Sequence, residues 1–198
     1  MANTNAGFGF KVLGNASGGA YTGSIREYPL ASASSTAIYL GDIVKLLGTG
    51  YVDKKTADGV TTVPLGIVVG FRWTATDGTI KYGPYWPGST ATLNSADAAV
   101  QVADDPALLL LAQFDNSTLT AAQELALRGA LFEFTTNTGN ASSGQSATVV
   151  ASGTTGATGY PLRYIGPSTD PTNDLTGGYI RGLFRFSSHA YQAAVPGI

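Results

Sequence analysis

Residues 63–73 read Val-Pro-Leu-Gly-Ile-Val-Val-Gly-Phe-Arg-Trp and carry the strongest strand pattern in the chain. The run combines β-branched and aromatic residues, which favour the extended backbone of a packed sheet. Gly66 and Gly70 interrupt it without a side chain, and a glycine inside a strand often marks the close approach of another backbone or a bulky ring. We therefore predict a strand here, with another backbone or a bulky ring packed against its glycine face.

Turn signals and a second apolar run flank this strand. Asp77-Gly78 predicts a two-residue hairpin turn, and Asp58-Gly59 predicts the tip of an earlier hairpin. Residues 37–47 are rich in β-branched and aromatic side chains, with Gly41-Asp42 at their middle. A Gly-Asp pair inside such a pattern indicates a bulge or a tight bend rather than a regular ladder position.

The rest of the chain adds short strands and one helix. The helix pattern runs from Thr120 to Leu131, with Thr120 as the N-cap and Gln123 as its capping-box partner. In the last strand pattern Ile180, Phe184 and Phe186 share one face. The later strands are expected at residues 99–103, 108–114, 132–135, 147–151, 162–166 and 178–188.

These patterns define the fold class. We predict a mostly β protein, a sandwich or small barrel of about nine to eleven short antiparallel strands with one short helix. Strands and helices do not alternate, which disfavours a parallel nucleotide-binding sheet. The 198 residues suit one domain. Residues 1–7 are small and polar and predict an extended N-terminal arm, while residues 8–198 form a single β-rich domain.

The charge content is low and excludes one class of partner. Charged residues make up 12% of the chain, against about 25% in an average soluble protein. The 11 Lys and Arg residues are scattered, and the net charge is −2. Nucleic-acid binding requires clustered cations that neutralise phosphates, so we expect none. A weakly charged polar surface instead suits a protein that is packed against other proteins.

Export and membrane insertion are not expected. The first ten residues lack both a basic region and a continuous apolar stretch, so they do not resemble a signal peptide. The longest apolar run, residues 107–112, is far shorter than the roughly 20 residues that a spanning helix needs. We predict synthesis in the cytoplasm and no membrane partner. The absence of cysteine excludes disulfides and thiolate chemistry.

A search for catalytic or metal-binding residues finds two weak candidates. His189 is the only histidine, whereas a metal site normally takes three or four ligands, and no G-x-S-x-G motif supplies a nucleophile for it. Asp104-Asp105 is the only adjacent acidic pair and precedes Pro106. That arrangement is more typical of a capped turn than of a calcium site or of two carboxylates straddling a sugar bond. We predict no enzyme activity, no metal and no cofactor.

The opening of the chain resembles a known family. Met-Ala-Asn-Thr-Asn-Ala-Gly-Phe-Gly-Phe, followed by Lys11, is similar to the start of the decoration, or cement, proteins of tailed-phage heads. Those chains also open on an Asn/Ala arm, a Phe-Gly pair and a basic residue. Similar motifs follow in the same order over nearly the whole chain, at 18–19, 24–28, 38–46, 65–70, 102–106, 162–166 and 179–189.

The resemblance implies a function, a location and partners. It implies a structural virion protein that binds the outer capsid surface and stabilises the shell by bridging neighbouring capsomers. The partners it implies are the major capsid protein and further copies of the chain itself, as a homotrimer. A carbohydrate-binding or tail-associated β module of a phage virion is the alternative.

Two groups of residues are candidate contacts with the capsid or with another subunit. Extended arms add contact area, and Phe8 and Phe10 could dock on a partner while polar arm residues pair with its edge strand; alternatively, both rings belong to the protein's own core. The aromatic cluster at 82–86 could be a core edge, an interface or a sugar platform. The candidate residues are Asn3, Asn5, Phe8, Phe10, Tyr82, Tyr85 and Trp86.

Overall fold

Two antiparallel sheets carry the fold of the computed structural model, together with a two-stranded ribbon and one short helix. The structure describes residues 3–30, 34, 36–57, 61–89, 92, 97–115, 121–156 and 159–192. The mostly β sandwich predicted from the sequence is confirmed. The described residues form 14 strands, which exceed the predicted number because several are only two to four residues long and carry little sequence signal.

The first sheet holds six strands in the order β1-β10-β14-β13-β11-β12. Their bounds are β1 Lys11–Asn15, β10 Leu108–Gln113, β11 Leu131–Thr135, β12 Val149–Thr155, β13 Leu162–Pro167 and β14 Arg181–Phe186. The predicted alternation in the last strand is confirmed, because Phe184 and Phe186 are buried while Arg185 is exposed.

The second sheet runs β2-β9-β6-β4-β5, and β7 also pairs with β6. Its strands are β2 Arg26–Pro29, β4 Ile43–Leu46, β5 Val52–Lys54, β6 Pro64–Thr74, β7 Ile80–Gly83 and β9 Ala99–Ala103. The ribbon consists of β3 Ile38–Tyr39 and β8 Tyr85–Trp86, and the helix α1 spans Ala121–Ala126. Among the described residues neither sheet closes into a barrel.

Strand β6, predicted as a strand from its sequence, lies in the middle of the second sheet. It pairs with β9 on one side, and with β4 and then β7 on the other. A Cβ added at Gly66 would overlap the carbonyl oxygen of Ala103 on β9. The missing side chain therefore lets two strands approach closely, which confirms the expectation for this glycine. Asp77-Gly78 forms the predicted turn, where the amide of Gly78 donates to the carbonyl of Ala75 at 2.9 Å.

The central strands of the second sheet are buried on both faces. Neighbouring residues on a strand point to opposite faces. In each of three such pairs, one residue packs into one apolar core and the next packs into a second core. Ile43, Ile67 and Ala103 join the core shared with the first sheet, whereas Val44, Val68 and Val102 join a core on the other face, beneath the β3–β8 ribbon. The shared core centres on four aromatic rings in mostly edge-to-face contact, Phe114, Phe132, Tyr164 and Phe184.

The helix ends earlier than predicted. It stops at Ala126, whereas the sequence pattern extends to Leu131, the first residue of β11. The cause is a tertiary contact: the amide of Gly129 donates to the carbonyl of Tyr164 at 2.8 Å, and the amide of Tyr164 donates to the carbonyl of Ala130 at 3.0 Å. These bonds draw the chain out of the helix toward β13. The predicted cap at Thr120 and the turn at Asp58-Gly59 lie outside the described residues.

Candidate functional site

The N-terminal arm lies along its own protein body. Asn3 forms three hydrogen bonds with a distant turn: its Nδ2 donates to the carbonyls of Asp174 (2.8 Å) and Gly178 (3.0 Å), and its Oδ1 accepts from the amide of Asp174 (2.9 Å). One amide side chain thus fixes the start of the described arm. Asn5, the other polar arm residue singled out by the sequence, is exposed.

Gln113, the last residue of β10, holds the middle of the arm. Its side chain is only 3% exposed. Its Oε1 accepts from the amide of Ala6 (3.1 Å), and its Nε2 donates to the carbonyls of Thr4 (2.9 Å) and Tyr179 (3.1 Å). A single buried amide therefore pairs with a donor and an acceptor of an extended backbone, as a neighbouring strand would. We call Gln113 and the Asn3-binding carbonyls of Asp174 and Gly178 the arm groove.

Gln145 holds the end of the arm. Its Nε2 donates to the carbonyl of Phe8 (2.6 Å) and to that of Leu40 (3.2 Å). The amide of Gly9 then donates to the carbonyl of Thr148 at 3.1 Å. The arm is consequently bonded to the body at both ends and in the middle, by groups more than 100 residues away in sequence.

Gly9 separates the two arm phenylalanines. Its φ of +70° is readily adopted only by glycine, and a Cβ there would lie 2.7 Å from the carbonyl oxygen of Gly41. The chain therefore turns between Phe8 and Phe10, and β1 begins at Lys11. Phe10 is 2% exposed and meets Phe134 edge to face at 6.2 Å. It belongs to the protein's own core and offers no surface to a partner.

Phe8 keeps part of its ring on the surface. It is half-buried, and the Lys11 ammonium lies 4.9 Å from its ring centroid. A cation over an aromatic face is a favourable contact, and here it keeps the ring beside the arm. Of the two arm rings, Phe8 is the one that can contact a partner.

A buried ion pair supports the end of the arm from below. Asp42 is 1% exposed, and its Oδ2 lies 2.7 Å from Nζ of Lys54. Its Oδ1 accepts from the hydroxyls of Ser146 (2.6 Å) and Thr148 (3.0 Å). Since the amide of Gly9 bonds to Thr148, this network fixes the backbone on which the arm ends.

The aromatic cluster predicted at 82–86 is divided by the fold. Trp86 is fully buried and meets Trp73 edge to face at 6.1 Å. Tyr85 is half-buried and stacks on Tyr39, with ring centroids 5.6 Å apart. Tyr82 is 72% exposed on β7. The core-edge interpretation applies to Trp86 and Tyr85, and Tyr82 is the ring of the three that extends into solvent.

The structure brings the arm end close to β8 through one loop. The amide of Leu40 donates to the carbonyls of Gly144 (2.9 Å) and Pro84 (3.1 Å), and the carbonyl of Leu40 in turn accepts from Gln145, which binds Phe8. Pro84 joins β7 to β8. The Phe8 end of the arm is thus linked by a continuous set of hydrogen bonds to Pro84, the residue that follows β7.

Sequence reasoning did not identify Gln113 and Gln145 as arm-binding residues. The only local signal is that Gln113 is a polar residue ending the apolar run 107–112, which indicates the end of a strand but not its partner. The bonds that give both residues their role are made to segments more than 100 residues away. No local pattern encodes such pairs.

The two acidic residues singled out as candidates for chemistry both bond to groups of the protein itself. Asp105 caps the predicted turn through the amide of Ala107 at 2.8 Å. Asp104 instead accepts from Arg26 at 3.0 Å and from the hydroxyl of Tyr28. Burial and this bond to Asp104 raise the pKa of Tyr28 well above its usual range. The two carboxylates therefore bind different groups and do not act as a pair.

His189 lies just after β14, between the rings of Phe186 and Tyr191. It is 2% exposed, and its Nδ1 accepts from the amide of Tyr191 at 3.1 Å. Burial lowers its pKa. Within the part of the chain that the structure describes, no three His, Asp or Glu side chains are grouped to hold a metal ion.

Comparison with known proteins adds no relative. No family model, no curated protein and no solved structure matches the chain. In the described ranges no helix has the length and apolar character required to cross a membrane.

Proposed function

We propose that the chain is a structural virion protein that binds the outer surface of a tailed-phage capsid and stabilises the shell by bridging neighbouring capsomers. Its partners in this proposal are the major capsid protein and other copies of itself, as a homotrimer. Support comes from the ordered motif similarity along the sequence and from a β body with a weakly charged, partly apolar edge.

The observation that carries the proposal is the exposed strand β7. Ile80 and Tyr82 occupy alternate positions, so they lie on the same face of the strand, and they are 63% and 72% exposed. Among the described residues β7 pairs with β6 alone. A free strand edge with two large apolar side chains is a surface that another protein can cover. Aromatic residues such as Tyr82 supply much of the binding energy in protein interfaces.

The outward side of the arm extends this surface. Thr4, Asn5 and Ala6 are exposed and uncharged, and the Phe8 end of the arm is linked through Gln145 and Leu40 to Pro84, the residue that follows β7. In this proposal the arm acts as a fixed strip on the body rather than as a loose tether. The shell then contacts β7 and the arm together.

The carbohydrate-binding alternative has less support. A sugar platform needs exposed aromatic faces, and of the three candidate rings Trp86 is buried while Tyr85 is covered by Tyr39. Tyr82 alone remains available.

The test compares two variants on capsids. Heads of the phage that encodes the chain, prepared without it, are mixed with wild type, with I80S/Y82S or with L125S, and binding is measured by co-sedimentation. Leu125 is a matched control, because it is 63% exposed on α1. We expect saturable binding by wild type and L125S, and about a thirtyfold loss for I80S/Y82S if the two side chains contribute about 2 kcal/mol.

Circular dichroism spectra establish that each variant is folded before binding is measured. The proposal fails if wild type does not co-sediment with heads. The choice of β7 fails if I80S/Y82S binds as well as wild type. Binding to a glycan array by wild type but not by I80S/Y82S would favour the carbohydrate-binding alternative.

A further inference from the structure

The arm groove requires an occupant. Gln113 is buried, and the partner of its Oε1 is the amide of Ala6. Without an arm, this oxygen loses its donor, and the carbonyls of Asp174 and Gly178 lose the side-chain amide of Asn3. Polar groups placed in this way are costly to leave unpaired. Some extended segment with the sequence of the arm must therefore lie in the groove of each folded body.

The arm is an independent segment that reaches this groove through a hinge. Its hydrogen bonds in the groove are all made to residues more than 100 positions away. The arm joins the rest of the chain at Gly9, where φ is +70° and the amide donates to the carbonyl of Thr148. A different backbone conformation at this glycine would direct the arm outward without disturbing Phe10 in the core.

A second copy supplies the same arm with the same bonds. Residues 3–9 reach roughly 23 Å when extended at about 3.3 Å per residue, which is enough to cross onto an adjoining body. Exchange of identical segments between copies conserves every contact and costs little. In an assembly the neighbouring arm is present at a high effective concentration, and it competes with the chain's own arm on nearly equal terms.

The groove also has unfilled space beside the chain's own arm. A cleft of about 310 Å³ remains open there, lined by Asn3, Thr4, Ala6, Phe8, Gln113, Thr172 and Arg181. If a neighbouring chain donates the arm, the folded body of that chain lies next to the groove and can cover the cleft. The chain's own arm brings nothing further to fill it.

We propose that the arm groove binds the N-terminal arm of a second copy of this chain, so that adjacent copies exchange arms. The proposal rests on the self-association in the proposed function but not on capsid binding. It identifies the partner of the groove as residues 3–9 of another copy, held through Asn3 and Gln113.

The test uses the absence of natural cysteine. Thr4 and Thr172 both line the cleft, and both are exposed. Two variants, T4C and T172C, carry different affinity tags and are produced together in one cell. During folding, the arm of one chain can then bind either its own groove or the groove of the other chain. A short bis-maleimide then links nearby thiols. We expect a covalent dimer that carries both tags, with positions 4 and 172 joined in its peptide map.

A second pair and a single-chain variant complete the experiment. The control pair is T76C co-produced with T172C, because Thr76 is exposed in the β6–β7 turn. It measures the background of cross-links that form by random collision and should give little dimer. The T4C/T172C double variant shows that the reagent spans the cleft. The proposal is overturned if the double variant forms a link within one chain while the co-produced single variants form no dimer above the collision control. It is also overturned if neither forms a link, because the arm then does not occupy the groove.

Sedimentation of wild type separates the two proposals. A species of one copy at every concentration would contradict both the homotrimer and the exchange. An oligomer whose linked peptides never join two chains would contradict the exchange alone. An oligomer that has exchanged arms but does not bind heads would support the exchange and contradict the proposed capsid function.

Discussion

The Nζ of Lys54 lies 2.7 Å from Oδ2 of Asp42, and the two side chains are 8% and 1% exposed. The carboxylate also accepts bonds from Ser146, Thr148 and the amide of Tyr39. This arrangement joins β4, β5, the ribbon and the segment before β12. A buried charge needs such partners, because its transfer from water is costly.

The first prediction concerns this ion pair. K54M removes one partner of a buried pair, and we expect a loss of about 3–5 kcal/mol in the free energy of unfolding. D42N/K54M should recover part of that loss, because it no longer buries an unpaired carboxylate. Urea denaturation measures both, with K81M at an exposed lysine as the control. Equal stability of K54M and K81M would show that the pair does not stabilise the fold.

The second prediction concerns the arm. Q113A removes the buried amide that bonds Thr4 and Ala6, and we expect a cost of about 1–3 kcal/mol because their partners lose hydrogen bonds. Hydrogen exchange should show faster exchange of the Ala6 amide while the amides of β6 keep their protection. Q101A, at a half-buried position on β9, is the matched control. Unchanged protection of Ala6 in Q113A would contradict the role given to this side chain.

The third prediction tests the close approach of β6 and β9. G66A places a methyl group against the carbonyl oxygen of Ala103, so the strands must separate or distort. We expect a loss of about 1–3 kcal/mol, the usual cost of overpacking, seen as a lower melting temperature. A Cβ at Gly48 would meet no atom within 4 Å, which makes G48A the control. A melting temperature for G66A equal to that of G48A would argue against tight packing at this point.

The fourth prediction concerns pH. Burial lowers the pKa of His189 in the folded protein below its ordinary value of 6.5, although the backbone of Leu65 and then the carboxylates of Asp104 and Asp105 act in the opposite direction. As pH falls through the unfolded-state value, the unfolded chain takes up a proton that the folded protein does not. The contribution of neutral His189 to the free energy of unfolding is therefore fully present above the unfolded-state pKa. It is lost as pH falls from there toward the folded-state pKa.

Denaturation of wild type and H189Q between about pH 7.5 and about pH 5 measures this effect. We expect the wild type to lose more stability than H189Q across the interval, since glutamine has no proton to take up. Parallel curves for the two proteins would show that His189 does not bind its proton differently in the two states.

Local pattern predicted much of the second sheet. The run at 63–73, the turn at Asp77-Gly78 and strand β9 appear where their sequences place them, because β-branched content, two-residue turns and alternation act over a few residues. The helix is shorter than predicted because Gly129 and Ala130 form backbone hydrogen bonds with Tyr164 instead of continuing the helix. That contact spans more than 30 residues and leaves no trace in the helical pattern itself.

The candidate site was less predictable. Phe10 and Phe8 look equivalent in sequence, yet the turn at Gly9 sends one into the core and leaves the other at the surface. Lys54 and Lys55 form an ordinary pair of cations in the sequence, but both are buried in the structure. Their surroundings are set by strand pairing and by the segment near Ser146, which a window of neighbouring residues does not contain.

The position of the groove has a consequence for the timing of folding. The arm emerges from the ribosome before Asp174, Gly178 and Tyr179, which complete its binding site. Closure of such long-range contacts is slow, so a nascent chain carries its arm unbound for most of its synthesis. Docking of the arm is therefore among the last contacts that the fold can complete.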